Sequence, residues 1–124
     1  MPTKSILIID DERDIHRVLK ALLEGAGYTV ASALDSMQAH MAARQVKPDL
    51  IILDIQMPGG GGIKVYDTLR INNNFMMTPI LIYTAVALAE LEKKIPVHPN
   101  TMLLAKPAQP QEILQAVEKL LSGV

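Results

Sequence analysis

Five short runs of β-branched and aliphatic residues alternate along the chain with longer segments of helical periodicity, and this alternation limits the possible folds more than any other sequence feature. The runs are predicted to be strands at residues 6–9, 28–31, 50–53, 80–83 and 102–105. Most of them are continuously apolar, which is typical of strands covered on both faces. The pattern therefore indicates a parallel sheet.

The segments between the runs carry the spacing of amphipathic helices. The first has apolar residues at positions i, i+3, i+4, i+7 and i+8, which are Ile15, Val18, Leu19, Leu22 and Leu23. The last repeats a similar stripe, which consists of Ile113, Leu114, Val117, Leu120 and Leu121. Such stripes predict helices with one buried face. Weaker helices are expected at about residues 36–45, 62–71 and 86–95.

A chain that alternates strand and helix five times is expected to form an α/β fold. Right-handed crossovers then give a doubly wound, three-layer sandwich around a five-stranded parallel sheet. The 124 residues correspond to one domain, residues 1–124. In such folds ligands bind outside the carboxyl ends of the strands, which is where a functional site is expected.

Composition excludes several classes of function. Twelve basic and 13 acidic residues give a formal charge of −1, so we expect neither direct nucleic-acid binding nor attraction to a membrane surface. The absence of cysteine excludes disulfides and thiol chemistry. The longest apolar stretch, residues 80–89, is far shorter than the roughly 20 residues that span a bilayer. We expect a soluble, cytoplasmic protein.

Polar residues follow four of the five predicted strands. Asp10 and Asp11 follow the first, Asp54 the third, Thr84 the fourth and Lys106 the fifth. Because parallel strands end at the same edge of the sheet, these side chains are expected to converge. Three carboxylates in one place repel one another unless a cation lies among them. Oxygen ligands favour Mg²⁺ over Zn²⁺ at such a site.

The same residues predict phosphoryl chemistry. A carboxylate can attack phosphorus and form an aspartyl-phosphate, and Asp54 is the candidate. Phosphoryl transfer requires mainly positioning and positive charge near the phosphoryl oxygens. Mg²⁺ held by Asp10 and Asp11, the Lys106 ammonium, and the Thr84 hydroxyl or a loop amide are expected to contact the three oxygens. An ionised carboxylate needs no general base.

Over its whole length the chain resembles the response-regulator receiver domain of bacterial two-component signalling. The resemblance rests on four motifs with matching spacing: Asp10-Asp11-Glu12, Asp54-Ile55-Gln56-Met57-Pro58 with Gly62, Thr84-Ala85, and Lys106-Pro107. It implies a flavodoxin-like sheet in the order 2-1-3-4-5. It also implies a receiver that accepts a phosphoryl group from a histidine kinase or a phosphotransfer protein.

The resemblance implies a role for each acidic residue. Asp54 would be the phosphoacceptor and also a Mg²⁺ ligand. Asp11 would bind Mg²⁺ directly and Asp10 mainly through water, while the backbone carbonyl of Gln56 would complete the protein ligands. No further enzymatic activity is expected beyond self-catalysed phosphotransfer and autodephosphorylation.

The resemblance also implies a conformational switch. Lys106 would pair with the phosphate or with Asp54, Thr84 would reorient towards the phosphoryl group, and the Lys106–Pro107 peptide would be cis. The altered surface, at about residues 86–121, would bind a downstream protein or a covalently linked output domain. Leu103 occupies the switch position where the family usually has an aromatic residue, so an aromatic readout is not available there, and Ala108 lies where Phe is common.

Several alternatives remain open at this stage. Asp11 could simply cap the first helix. The chain could be an interaction module that does not depend on phosphorylation, or a Mg²⁺-dependent phosphohydrolase with an aspartyl-phosphate intermediate. Phosphohydrolases that use this chemistry and resemble the haloacid dehalogenases carry a second Asp two residues after the nucleophile. This chain has Gln56 there.

Two further expectations concern residues outside these motifs. The three histidines, His16, His40 and His98, share no spacing and are expected at the surface. The glycines at residues 59–62 are expected to form a mobile loop beside Asp54, because glycine is costly to order.

Overall fold

The computed structural model describes residues 3–58, 61–96 and 98–123. Within these residues five strands and five helices alternate along the chain. The strands are β1 (Ser5–Ile9), β2 (Thr29–Ala33), β3 (Leu50–Leu53), β4 (Ile80–Thr84) and β5 (Thr101–Ala105). The helices are α1 (Arg13–Gly25), α2 (Ser36–Val46), α3 (Gly61–Ile71), α4 (Leu88–Lys94) and α5 (Pro110–Ser122).

The strands form one parallel sheet in the order β2-β1-β3-β4-β5. Helices α1 and α5 pack on one face, and α2, α3 and α4 pack on the other. Strand β1 shows why its apolar run is continuous: Ile6 and Ile8 enter the core beneath α1 and α5, whereas Leu7 and Ile9 enter the opposite core. The predicted three-layer, doubly wound fold is confirmed.

The main difference from the predicted elements concerns β2, which begins at Thr29 and ends at Ala33 rather than covering residues 28–31. β2 lies at an edge of the sheet, and among the described strands it pairs with β1 alone, from Ser5 opposite Thr29 to Ile9 opposite Ala33. Because an edge strand is partly exposed, it includes polar residues that a search for apolar runs passes over. Pairing with β1 therefore sets its bounds.

Helix α5 begins a few residues after the carboxyl end of β5, and hydrogen bonds between neighbouring residues fix its start. The Glu112 carboxylate accepts a hydrogen bond from the Gln109 backbone amide at 2.9 Å, and the Glu112 backbone amide donates to the Gln109 backbone carbonyl at 3.0 Å. These bonds satisfy amides at the start of the helix that it would otherwise leave free. Pro110 occupies the first turn, where no amide hydrogen is required.

Gly62 allows α3 to approach the end of β3. A Cβ atom at this position would overlap the backbone carbonyl oxygens of Asp54 and Ile55. The neighbouring Gly61 is different, because a Cβ there would meet its nearest heavy atoms at 3.9 Å, an ordinary contact. The family motif residue Gly62 is therefore required by packing against the backbone beside Asp54.

We predict that Gly62→Ala lowers the free energy of unfolding by about 3 kcal/mol, because backbone atoms must move to admit the methyl group. Gly61→Ala is the matched control and should change it by less than about 1 kcal/mol. Urea denaturation followed by circular dichroism measures both. Equal stability of the two variants would contradict this account of α3 packing.

Candidate functional site

The carboxyl ends of four strands bring the predicted side chains together. Asp10 and Asp54 directly follow β1 and β3, Thr84 ends β4, and Lys106 directly follows β5. The Lys106 Nζ atom lies 2.7 Å from Asp10 Oδ2 and 3.3 Å from Asp54 Oδ2. One ammonium group therefore bridges two carboxylates that are 44 positions apart in the sequence.

This ion-pair network lies mostly out of solvent. Asp10 is 2% exposed and Asp54 is 4% exposed, while the Lys106 side chain is 12% exposed. Burial by itself lowers the pKa of Lys106, but the hydrogen bond to Asp10 and the charges of Asp54 and Asp10 outweigh it, so the pKa is raised. Lys106 is therefore fully charged at neutral pH.

Backbone amides orient both carboxylates. The amide of Glu12 donates to Asp10 Oδ1 at 2.9 Å, and the amide of Gln56 donates to Asp54 Oδ1 at 2.9 Å. Each carboxylate thus uses one oxygen for an amide two residues later and the other for Lys106. Such bonds fix the direction in which each carboxylate points.

Asp11 differs from its neighbour because it is exposed. It does not cap α1: the N-cap residue is Glu12, whose own side chain makes no capping hydrogen bond to the described residues of the helix. The interpretation of Asp11 as a helix cap is therefore wrong. The carboxylates of Asp10, Asp11 and Glu12 can place oxygen atoms within 4.8 Å of one another.

This acidic cluster suits a hard cation. Its donors are all carboxylate oxygens, the ligand type that Mg²⁺ prefers. Glu12 is not among the ligands that the sequence predicts, although it directly follows one of them, Asp11. The signal that it lies in the cluster is the turn at the end of β1, which brings the Glu12 amide back to Asp10 Oδ1.

The two proposed switch residues have different surroundings. Thr84 is fully buried, and its Oγ1 atom accepts a bond from the Val86 amide at 3.4 Å. Leu103 is half-buried on the edge strand β5, where it borders a surface cavity of about 270 Å³ shared with Ile95 and His98. There is space beside Leu103 for this side chain to repack.

His16 is buried, so the prediction that it lies at the surface is wrong. It is 7% exposed, and its Nε2 atom lies 2.7 Å from the backbone oxygen of Asp10. The buried residues of α1 are His16, Leu19 and Leu23, spaced i, i+3 and i+7. Val18 is 63% exposed, so the predicted apolar stripe was centred too far towards that side of the helix.

The remaining local expectations have mixed outcomes. The Lys106–Pro107 peptide is cis, as predicted. His40 and His98 are half-buried and keep part of their area at the surface, as predicted. Of the glycine segment at residues 59–62, Gly61 and Gly62 belong to α3. The prediction of a mobile loop otherwise falls on residues 59 and 60, which lie outside the described residues.

Among the residues that the structure describes, no helix combines the length and the apolar character needed to cross a bilayer.

Comparison with known proteins identifies the family. Residues 6–118 match the model of the response regulator receiver domain. The chain is 37% identical over 119 residues to the alkaline phosphatase synthesis transcriptional regulatory protein PhoP of Bacillus subtilis, covering 95% of this chain and 48% of that protein. The DNA-binding response regulator MtrA of Mycobacterium tuberculosis is 38% identical over 80 residues, which is 64% of this chain and 34% of MtrA.

Solved structures agree with this result. The chemotaxis protein CheY4 of Vibrio cholerae superposes with a TM-score of 0.88 at 28% identity, covering 96% of this chain and 99% of that one. The signal receiver domain of a histidine kinase from Syntrophus aciditrophicus gives a TM-score of 0.86 at 25% identity, covering 98% and 92%. The chain belongs to the response regulator receiver domain family.

Family membership establishes the general role. Receiver domains act in phosphorylation-based two-component signalling, and they generally bind Mg²⁺ at their acidic pocket. Response regulators interact with histidine kinases and with output domains. The chain spans about half or less of the length of the curated relatives named above.

We predict that Lys106→Met lowers the free energy of unfolding by about 2 kcal/mol at neutral pH in EDTA. The loss follows because two buried carboxylates are left without their ammonium partner, although both keep their amide bonds. The exposed Lys20→Met change is the control and should stay within about 0.5 kcal/mol.

A second substitution separates the ion pair from the packing of the lysine stem. Adding Asp54→Asn to Lys106→Met removes one of the two unpaired charges and should recover part of the lost stability. Urea denaturation of wild type, Lys106→Met, Asp54→Asn and the double variant forms a double-mutant cycle. Strict additivity of the two substitutions would show that the charges do not interact.

Proposed function

We propose that this chain is a phosphorylation-controlled signalling receiver in which Asp54 accepts the phosphoryl group. The observation that supports this most directly is the placement of the Lys106 ammonium 3.3 Å from a buried carboxylate oxygen of Asp54. A fixed positive charge beside a potential nucleophile is what phosphoryl transfer requires of a protein. The donor would be a histidine kinase or a phosphotransfer protein.

In the proposed reaction a carboxylate oxygen of Asp54 attacks the phosphorus of a phosphohistidine. An O–P bond forms, the N–P bond breaks, and its electron pair leaves with the imidazole nitrogen. The Gln56 amide, bonded to Asp54 Oδ1, holds the carboxylate in one orientation during the attack. Lys106 then exchanges a carboxylate oxygen for a phosphoryl oxygen, which carries more negative charge.

The proposed Mg²⁺ ligands are the carboxylates of Asp10, Asp11 and Asp54 and the backbone carbonyl of Gln56. When bound, Mg²⁺ would neutralise charge on the phosphoryl oxygens. Among the three carboxylate residues of this set Asp11 is the exposed one, so its carboxylate is free to bind the ion without first leaving a buried contact. Asp10 is already bonded to Lys106, which supports a role for it mainly through water.

The signal would leave the site through β4 and β5. Thr84 lies opposite Ala105, and the Thr84 carbonyl accepts a bond from the Lys106 amide at 2.9 Å. A movement of Thr84 towards the phosphoryl group therefore acts directly on the edge strand that contains Leu103. The surface at about residues 86–121, which includes α4, β5 and α5, is proposed to bind the downstream partner.

The whole protein either is this receiver alone or carries it with an output domain. Relatives about twice as long include DNA-binding and transcriptional regulators, so a linked output domain could contact DNA. We propose no direct nucleic-acid contact by the receiver itself, whose formal charge is −1. We also propose a cytoplasmic location, as is typical of response regulators.

Leu103 keeps a second function in consideration, namely an interaction module that does not respond to phosphorylation. Its aliphatic side chain cannot provide the usual aromatic signal at the switch position. Partner affinity measured with and without beryllofluoride, a phosphoryl mimic, discriminates the two. Equal affinities would favour this second function.

A turnover phosphatase is disfavoured because Gln56 occupies the position where such an enzyme needs an Asp as its acid and base, and a side-chain amide cannot serve as either.

We predict that acetyl phosphate with Mg²⁺ adds one phosphoryl group to the chain and that Asp54→Asn abolishes the addition, because an amide is a poor nucleophile. Intact-mass spectrometry measures the labelled fraction. Asp67→Asn, which changes an exposed carboxylate on α3, is the control and should label normally. EDTA should prevent labelling of every variant. Undiminished labelling of Asp54→Asn would refute the assignment.

A further inference from the structure

Tyr83 is a buried polar residue that the proposed mechanism does not use. It lies in β4 directly before Thr84, is 6% exposed, and packs in the core beneath α1 and α5. The face of its ring lies 5.6 Å from the Lys106 Nζ atom, measured to the ring centroid. Its hydroxyl oxygen accepts a hydrogen bond from the Ala108 amide at 3.2 Å.

We propose that Tyr83 is a positioning residue for Lys106, whose ring keeps the lysine ammonium at the phosphoacceptor carboxylate while its ionic partners change. This inference rests on the proposed function, in which Asp54 accepts the phosphoryl group and Lys106 stabilises it.

The position of the Lys106 ammonium depends on the groups that contact it. Lysine carries its charge on a flexible four-carbon stem, so the charge is placed only as well as its surroundings hold it. In this structure the ammonium contacts Asp10 at 2.7 Å and Asp54 at 3.3 Å. Both contacts are expected to weaken or change when Asp54 is phosphorylated and when Asp10 contributes to Mg²⁺ binding.

The contact between the Lys106 ammonium and the Tyr83 ring does not depend on these ionic partners. An aromatic ring attracts a cation through its electron-rich face, and this attraction does not require a particular N–H direction. The ring therefore leaves the ammonium hydrogens available for carboxylate or phosphoryl oxygens. Because Tyr83 is buried and offers the ammonium the face of its ring rather than a carboxylate, it does not compete for Mg²⁺.

Tyr83 and Thr84 also hold the backbone around Lys106. The Lys106 amide donates to the Thr84 carbonyl at 2.9 Å, and the Ala108 amide donates to the Tyr83 hydroxyl. Consecutive residues of β4 thus hold the backbone on both sides of the Lys106–Pro107 peptide. Tyr83 fixes the segment that carries the lysine as well as the end of its side chain.

The residues of β4 that precede Tyr83 show what packing alone requires. Ile80, Leu81 and Ile82 are aliphatic and fully buried, and leucine at position 83 would satisfy the same core. Leucine offers no electron-rich face and no hydroxyl. A Tyr83→Leu variant therefore separates the positioning role from apolar burial, and Tyr83→Phe separates the ring from the hydroxyl.

The test compares wild type with Tyr83→Phe, Tyr83→Leu and Tyr83→Met by two measurements. The first is the rate of labelling by acetyl phosphate with Mg²⁺, followed by intact mass. The second is the NMR shift of the Lys106 ε-methylene protons, which an aromatic ring face moves upfield. Two aliphatic variants are used so that one folded protein remains if the other does not fold, as judged by amide NMR spectra.

We expect Tyr83→Phe to keep the upfield shift and to label within about threefold of wild type. Tyr83→Leu and Tyr83→Met should lose the shift and label about tenfold more slowly. Tyr66→Phe is the control: it changes a buried tyrosine whose ring faces a different cation, Arg70, at 5.3 Å, and it should label as wild type does.

Three results would overturn the proposal. The first is a folded aliphatic variant that labels at the wild-type rate, and the second is a Lys106 shift that is the same with and without the ring. In both cases wild-type labelling at Asp54 would leave the proposed function standing. The third is wild-type protein that is never labelled, which would refute the proposed function and, with it, this role for Tyr83.

Discussion

The ammonium of Lys106 lies between the buried carboxylates of Asp10 and Asp54, and the structure at this end of the sheet depends on that contact. Two carboxylates this far from solvent would repel each other if they had no cationic partner. The lysine removes that cost, and the Glu12 and Gln56 amides fix the remaining oxygens. The charged groups are therefore held in place by the protein's own side chains and backbone.

The sheet makes this contact possible. β1 and β3 are adjacent, so Asp10 and Asp54 follow paired residues, Ile9 and Leu53, at the same edge. β5 neighbours β4 and not β3, so the long Lys106 side chain reaches back across the end of β4 to the two carboxylates. The close approach of α3 at Gly62 completes the arrangement. Position in the sheet, rather than closeness in sequence, therefore assembles the site.

Much of this could be predicted from the sequence, for physical reasons. Continuous apolar runs identify buried parallel strands, and polar residues directly after them must lie at one edge. That reasoning placed Asp10, Asp54, Thr84 and Lys106 correctly relative to the sheet. It failed for β2, because an exposed edge strand carries a mixed pattern, and for His16, whose burial depends on contact with the Asp10 carbonyl. The contact of Tyr83 with Lys106 was equally hidden, because it joins different strands through side-chain geometry.

The most direct test of the central claim identifies the phosphorylated residue chemically. The protein is labelled with acetyl phosphate and Mg²⁺ and then treated with borohydride, which reduces an aspartyl-phosphate to homoserine. Tandem mass spectrometry locates the modified residue. The account predicts homoserine at position 54. Homoserine at position 10 or 11 instead, or none in a protein whose mass shows phosphorylation, would contradict it.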